Sequence, residues 1–317
     1  MNVRKRAGVV AATTMRDRLA AWRELLDLCR RKATRKRVHA LRVITLRLQA
    51  ELDRDLNDLP RASHQAQAIL RFSKQAETLR RALGPVREFD VWIGKLRGLR
   101  ISLSETTDYV PHSTHDCISG IDRLENRLTR KRRTAEKKLV TQIEKSGRHL
   151  VKAGEHVERE LSDFVLGEEA GIAEELARRF LAIQAEFSTF DETNLHEFRK
   201  RIKSVRYLAE IHAGTDRACA QIASQVKKVQ SAIGEWHDWQ ELGREAHHGN
   251  HAKTKPLAEL LDTVSAESFE TALSRVQSVS TYLQERIQKS EDLQVENRKI
   301  PARGELSPLA DSNKKLA

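Results

Sequence analysis

Apolar residues recur at helical spacing along most of the chain, beginning near Met15. The first apolar face comprises Leu19, Trp22, Leu25, Leu26 and Cys29. This three-to-four-residue spacing is typical of an amphipathic helix. No stretch alternates β-branched and polar residues over several positions, as a half-buried strand would. The chain is therefore predicted to be all-α.

The same periodicity predicts the positions of the other helices. A second helix with Thr34 as its N-cap stops before Pro60, and a third, over about residues 65–83, ends at Gly84-Pro85. Residues 101–116 lack periodicity and are predicted to form a loop. Further helices are expected over about 118–146 with a continuation to 161, 168–187, 194–212, 219–234, 236–246 and, as one or two helices, 255–290.

Two sequence elements recur in the same order, which indicates an internal duplication. Residues 38–48 and 195–205 each place a His three residues before an Arg, and His39 and His196 are 157 residues apart. Residues 83–90 resemble 233–240, and their glycines, Gly84 and Gly234, are 150 residues apart. We expect two related halves, about 15–165 and 166–290, each a helical bundle with a hairpin broken at its glycine. Residues 1–14 and 291–317 are predicted to be disordered.

Positive charge is concentrated in three short segments of the 317-residue chain, whose net charge is +12. Residues 30–50 carry +8, residues 127–138 carry +6 and residues 194–207 carry +4, so the remainder is net negative. Such concentration favours a polyanionic partner.

On helices these segments form basic stripes, because residues three and four apart lie on one face. Like charges at this spacing repel each other, so an anion or water must screen them. A polymer with a charge on every unit suits such stripes, and Arg and Lys are both phosphate-binding residues. The two histidines can add charge or, when neutral, donate a hydrogen bond. The candidate polyanion-binding residues are Arg35, His39, Arg42, Arg127, Arg130, Lys131, His196, Arg199, Lys200, Lys203 and Arg206.

Sequence signals for catalysis, metals and membranes are absent or weak. The chain has no Gly-rich phosphate loop, no H-E-x-x-H and no Cys/His metal spacing, so we expect a non-enzymatic protein without a cofactor. The cluster His247, His248 and His251 is expected to lie in an exposed loop. Three widely spaced cysteines, an N-terminal apolar stretch too short for a secretion signal and no bilayer-length apolar run favour the cytoplasm.

The motif LHEFRKRIKSVRY at 195–207, with VHALRV at 38–43, resembles the CHAD domain, the conserved histidine α-helical domain. The resemblance covers roughly residues 15–290. It implies two four-helix bundles, related by a pseudo-two-fold axis, around a basic central channel. It also implies that the Lys, Arg and His of this channel bind long-chain inorganic polyphosphate, and that the protein associates with polyphosphate granules.

The first half departs from the family pattern. Leu46 and Gln49 stand where the family usually has Arg, and its Gly-x-x-Arg-Asp element ends in Glu88. We therefore expect the first half to contribute less to binding, or to use residues 31, 32 and 35 instead.

Other functions remain as alternatives. Binding of the DNA or RNA backbone is the main one, although no recognition motif accompanies the stripes. A metal-assisted polyphosphate hydrolase would need a carboxylate cluster, and a purely structural scaffold leaves the segregated charge unexplained. Polyphosphate-metabolising enzymes are a further candidate partner.

Overall fold

The computed structural model describes residues 15–105, 112–161, 171–248 and 251–299. Within these ranges the chain forms helices and short connections and contains no strand, so the predicted all-α class is confirmed. In chain order the helices are α1 (Met15–Arg31), α2 (Arg35–Asp58), α3 (His64–Glu105), α4 (His112–Glu160), α5 (Ile172–Ala185), α6 (Leu195–His212), α7 (Arg217–His247) and α8 (His251–Lys299).

Side-chain caps begin two of these helices. Thr34 has extended backbone angles and its hydroxyl accepts a hydrogen bond from the backbone N–H of Arg37, as predicted for the start of α2. Asp216 caps α7 in the same way, by accepting from the backbone N–H of Ala218 over 2.6 Å.

The predicted helix breaks at the two glycines are wrong. α3 continues through Gly84-Pro85, and α7 continues through Gly234. Pro85 removes one backbone hydrogen bond from α3, but the buried side chains of Leu83 and Val86 lie on either side of it. We infer that burial of these flanking side chains outweighs the local breaker signal.

Other boundaries also extend further than the sequence predicted. Residues 101–105 belong to α3 and residues 112–116 to α4, while 106–111, the rest of the predicted loop, lie outside the described residues. One continuous helix, α8, covers 251–299 and includes the first residues of the predicted tail. The predicted disorder of 1–14 and 300–317 concerns residues that the structure does not describe.

Three apolar clusters hold the helices together. One lies among α1–α4 and contains Trp22 and Phe72. A second lies among α5–α8 and contains Phe180 and Phe198. The third, which we call the junction cluster, joins α3 and α4 to α7 and α8. The long helices therefore belong to two clusters each, and α2 packs against α6 between the halves. The two related bundles and their pseudo-two-fold axis remain a prediction.

Two further tryptophans are buried. Trp92 belongs to the junction cluster and Trp236 to the cluster of the second half. Trp239 is only partly buried, against the junction cluster. The three cysteines are free thiols, and each is buried.

Candidate polyanion-binding site

Arg199 of α6 lies directly against the backbone of α7. Its Nε donates a hydrogen bond to the carbonyl oxygen of Gln230 over 3.1 Å. A Cβ at Gly234 would approach Nη2 of Arg199 to 2.9 Å, closer than real side chains come. Gly234, expected to end a helix, instead leaves room in mid-helix for a guanidinium.

Arg42 makes the matching contact in the first half. Its Nη1 donates to the carbonyl oxygen of Arg80 over 3.4 Å. A Cβ at Gly84 would lie 3.9 Å from the same Nη1. In both halves the accepting carbonyl lies four residues before the glycine. The duplicated sequence elements therefore correspond to a duplicated contact, which positions one arginine of each basic stripe.

His196 stacks on a second imidazole. Its ring centroid is 4.1 Å from that of His237, and the Nδ1 atoms of both rings are buried without a hydrogen-bond partner among the described residues. Burial, then the neighbouring His237 and Lys200, lowers the pKa of His196 to about 3. This imidazole is therefore neutral at neutral pH, and it can act as a hydrogen-bond donor but adds no positive charge.

His39 is more exposed than His196 and lies near a different partner. Partial loss of hydration, then the charge of Arg87, lowers the pKa of His39. Arg87 lies three residues beyond Gly84, as His237 lies three residues beyond Gly234. Each histidine therefore faces the corresponding position of the neighbouring helix, an arginine in one half and a histidine in the other.

Lys203 is a strongly perturbed cation of the site. Burial, followed by the charges of Arg199, Arg42 and Arg80, lowers the pKa of Lys203 to about 7. It makes no hydrogen bond or ion pair with any residue that the structure describes. Two of these neighbouring arginines come from the first half of the chain and one from the second, so the cations of both halves lie close together.

We call this group of cations the central basic cluster. Its members come from α2, α3 and α6. They are Arg35, His39, Arg42, Arg80, Arg87, Arg199, Lys200, Lys203 and Arg206. Most of the residues predicted for the first and second stripes therefore meet in one place.

The members differ in how far they are already neutralised. Glu210 accepts from Arg206 over 3.0 Å and from Arg47 of the first half over 2.7 Å. Lys200 is half-exposed and pairs with Glu197 over 3.2 Å. Arg35 is exposed, and its guanidinium lies beside Gly94, where a Cβ would be 3.2 Å away. Arg206 and Lys200 are thus paired with carboxylates, whereas Arg42, Arg80 and Lys203 form no ion pair with a described residue.

Two acidic groups at the edge of the cluster are themselves perturbed. Burial raises the pKa of Asp238 to about 6, although Lys95 and Arg199 oppose this rise. Its carboxylate accepts a hydrogen bond from the indole N–H of Trp92 over 3.3 Å. Burial also raises the pKa of Glu88. Asp238 lies close enough to influence Arg199 electrostatically.

The third predicted stripe lies elsewhere. Arg127 donates to the backbone carbonyl of Glu245, and Nζ of Lys131 lies 2.7 Å from the carboxylate of the same residue. These contacts brace α4 against α7. Arg130 and Lys131 also line a groove between α3 and α4, together with Arg81 and Pro85. Polyanion binding by these residues stays a prediction. It would take place on a surface separate from the central basic cluster.

Leu46 and Gln49, at positions where the family usually has Arg, pack inside the protein as uncharged side chains. Gln49 is buried, and its Nε2 donates to the carbonyl oxygen of Ser73 in α3 over 3.4 Å. Leu46 is partly buried. Neither adds charge to the central basic cluster.

Sequence analysis missed Arg80 and Arg87 as members of the cluster. On a continuous helix, positions 80, 84 and 87 lie on one face, as i, i+4 and i+7 do. That signal was present in the sequence. The predicted end of the third helix at residue 83 concealed it, because the two arginines were assigned to different helices.

The described part of the chain contains neither a metal-binding group of side chains nor a membrane-spanning helix. It holds no group of three or more His, Cys, Asp or Glu side chains that could bind a metal ion. His247, predicted to lie in a loop, is the last residue of α7 and contacts Asp262 over 2.9 Å. No described helix is both long and apolar enough to span a membrane.

A comparison with protein families shows to which family the chain belongs. The family model of the CHAD domain matches residues 13–247. The chain belongs to the CHAD domain family. The match ends at the last residue of α7, so α8, which packs on α4, α5 and α7, lies beyond the matched part of the CHAD domain. The expected coverage reached residue 290. No curated protein matches this chain.

Proposed function

We propose that this CHAD-domain protein binds long-chain inorganic polyphosphate as a non-catalytic module. The observation that carries the proposal is the meeting of unneutralised cations from both halves in the central basic cluster. Arg42, Arg80 and Lys203 form no ion pair with a described carboxylate. Such mutual repulsion is unfavourable unless an anion relieves it.

The chemistry of the cluster suits phosphate oxygens. Arginine presents a planar fork of donors and lysine a compact charge, and charge-assisted hydrogen bonds to phosphate are strong. A neutral His196 can add a donor without adding repulsion. Because the cations come from both halves, a chain of linked phosphates can contact more of them than a single small phosphate can.

Nucleic acid is the second candidate, since it is also a linear polyanion. Proteins that bind single strands stack bases on exposed aromatic rings. Tyr207, the aromatic residue on the second stripe, is only 5% exposed. Its ring is already covered by Arg206, whose Cζ lies 4.7 Å from the ring centroid. The cluster therefore offers phosphate contacts but no stacking platform there.

Three cellular uses fit such a binder: polyphosphate storage, targeting to polyphosphate granules, and regulation of a polyphosphate-metabolising enzyme. We propose that it acts in the cytoplasm at these granules. Imaging of the tagged protein together with stained polyphosphate tests the location. A signal that does not follow the granules would contradict granule targeting.

A competition titration tests the binding itself. The purified full chain is titrated with long-chain polyphosphate at near-physiological salt, with duplex DNA, single-stranded RNA and triphosphate as competitors. We expect long polyphosphate to bind more tightly than each competitor by at least an order of magnitude. Equal competition by nucleic acid would favour the second candidate, and no binding of polyphosphate would exclude the first.

A further inference from the structure

An arginine and a glutamine have exchanged places between the two halves. In the second half, Nη1 of Arg206 on α6 donates to Oε1 of Gln230 on α7 over 2.8 Å. Arg206 lies ten residues beyond His196, and Gln49 lies ten residues beyond His39. Gln230 and Arg80 each lie four residues before the glycine of their helix. The guanidinium is thus on the histidine-bearing helix in one half and on the glycine-bearing helix in the other.

The recurrent backbone contact supports this correspondence. Arg42 and Arg199 donate to the carbonyl oxygens of positions 80 and 230, respectively. Positions 80 and 230 are therefore equivalent in contact as well as in sequence spacing. Compared with the second half, the first half lacks a cation at position 49 and has an additional one at position 80. The two corresponding pairs of positions therefore carry the same charge.

The side chain of Arg80 is only partly exposed, and it is not neutralised. Its Nε atom is buried and lacks a hydrogen-bond partner in the described ranges. Asp53 lies close enough for Arg80 to lower its pKa against the larger effect of burial, but the two form no ion pair among the described residues. Arg206, by contrast, is paired with Glu210.

Arg80 lies among the least neutralised cations of the site. It is close enough to Lys203 and to Arg42 that its charge disfavours their protonated forms. Arg80 and Arg42 belong to the first half and Lys203 to the second. A phosphate placed among the three would contact both halves and would add to the counter-charge that Glu88 supplies near Arg42 and Lys203.

We propose that Arg80 is a phosphate-binding residue that replaces, from α3, the cation missing at Gln49 of α2. The inference rests on the proposed function. It also changes the expectation for the first half: this half contributes to binding through α3, where the sequence suggested residues 31, 32 and 35 or a weaker contribution.

A pair of substitutions on the same helix tests the proposal. Arg80→Gln places the residue of the second half at position 80, and Arg71→Gln is its matched control. Arg71 is exposed on the opposite face of α3, so the control removes an equal charge away from the site. At near-physiological salt we expect Arg80→Gln to weaken long-chain polyphosphate binding by about tenfold, the usual cost of one charge-assisted hydrogen bond. Arg71→Gln should stay within about twofold of wild type, because salt screens an exposed charge that lies away from the site.

The outcomes separate this inference from the proposed function. Wild-type protein that does not bind polyphosphate overturns both. If wild type binds and Arg80→Gln binds as well as Arg71→Gln does, Arg80 is not a binding residue while the proposed function stands. A lower melting temperature of Arg80→Gln with unchanged affinity would also overturn the inference, by assigning Arg80 a structural role.

A double variant tests the exchange directly. Gln49→Arg combined with Arg80→Gln recreates in the first half the arrangement of Arg206 and Gln230. We expect it to recover most of the affinity that Arg80→Gln loses, with circular dichroism confirming that the variant is folded. A folded double variant as weak as Arg80→Gln would show that the two positions are not interchangeable and would overturn the exchange.

Discussion

The guanidinium of Arg199 occupies space that any side chain at position 234 would take. The Nη2 atom lies 2.9 Å from the point where a Cβ of residue 234 would be, and Nε donates to the carbonyl oxygen of Gln230. The arginine lies partly buried between α6 and α7, and loss of hydration is the main cause of its lowered pKa. Gly234 therefore determines where one cation of the site can lie.

Substitution of Gly234 by Ala should displace Arg199. An Ala in mid-helix favours the helix by about 1 kcal/mol over Gly, but here its methyl group collides with the guanidinium. We expect polyphosphate affinity to fall several-fold, as measured by the titration above. Gly98→Ala is the control, because a Cβ at Gly98 meets nothing within 4 Å. Gly98→Ala should raise the melting temperature and leave affinity unchanged; equal affinity of the two variants would contradict this role of Gly234.

Removal of three cations from α6 should abolish most of the binding. For Arg199→Ala, Lys203→Ala and Arg206→Ala combined, we expect at least a hundredfold loss, since each charge-assisted contact contributes about 1.5–3 kcal/mol. Helicity by circular dichroism should be retained. A control variant removes the same charge from exposed positions, by Ala at Lys227, Lys228 and Arg275. A similar loss in the control would mean that net charge, and not the site, determines affinity.

Lys203 should reduce the stability of the free protein near neutral pH. Its pKa is about 7 in the fold against an ordinary value of 10.5, so folding disfavours its protonated form. Relative to Lys203→Met, the wild type should therefore be least stable below pH 7, recover as pH rises from 7, and match the variant above about pH 10.5. Melting temperatures of both proteins across this range measure the difference. A difference that does not change with pH would contradict the shifted pKa.

Binding of a polyanion should draw a proton onto Lys203. Near pH 8 a group with a pKa of about 7 is mostly neutral, and a bound phosphate would favour its charged form. Calorimetric titrations in two buffers of different ionisation enthalpy should therefore report proton uptake at pH 8. Lys203→Arg is the control, because an arginine stays charged, and it should bind with less uptake. Equal uptake by both proteins would assign the proton to another group.

His196 should make the fold sensitive to acid. Its pKa is about 3 in the fold against an ordinary value of 6.5. The stability that the neutral imidazole allows is therefore fully present above pH 6.5 and is lost as pH falls towards 3. His196→Gln should lose less stability than wild type between pH 6.5 and 4. Chemical denaturation at several pH values measures this. Parallel curves for the two proteins would exclude His196 as a cause.

The all-helical fold could be predicted from the sequence because the apolar residues that recur at helical spacing are the ones buried in the structure. The helix ends predicted from the sequence at Gly84 and Gly234 are wrong. There a local breaker signal competes with the burial of Leu83, Val86 and Trp236, and only the packed structure shows that burial wins.

The candidate site was predicted only in part, because tertiary packing decides which helix faces meet. A stripe shows which side chains share a face of a helix, but it does not show what that face meets. The stripes with Arg42 and Arg199 meet each other, whereas Arg127 and Lys131 meet Glu245, more than a hundred residues further along the chain. Arg80 shares a face of α3 with Gly84 and Arg87, but only the packed helices show that this face meets the cations of the second half.

The continuity of α3 has a consequence for how a ligand is received. The same helix carries Arg80 in the central basic cluster and Leu96 in the junction cluster. With no break between them, the position of this cation relative to the second half is set when the core packs. The site is thus preorganised, and the work of bringing like charges together is done during folding. A ligand need not close the halves around itself, so less of its binding free energy is spent on conformational ordering.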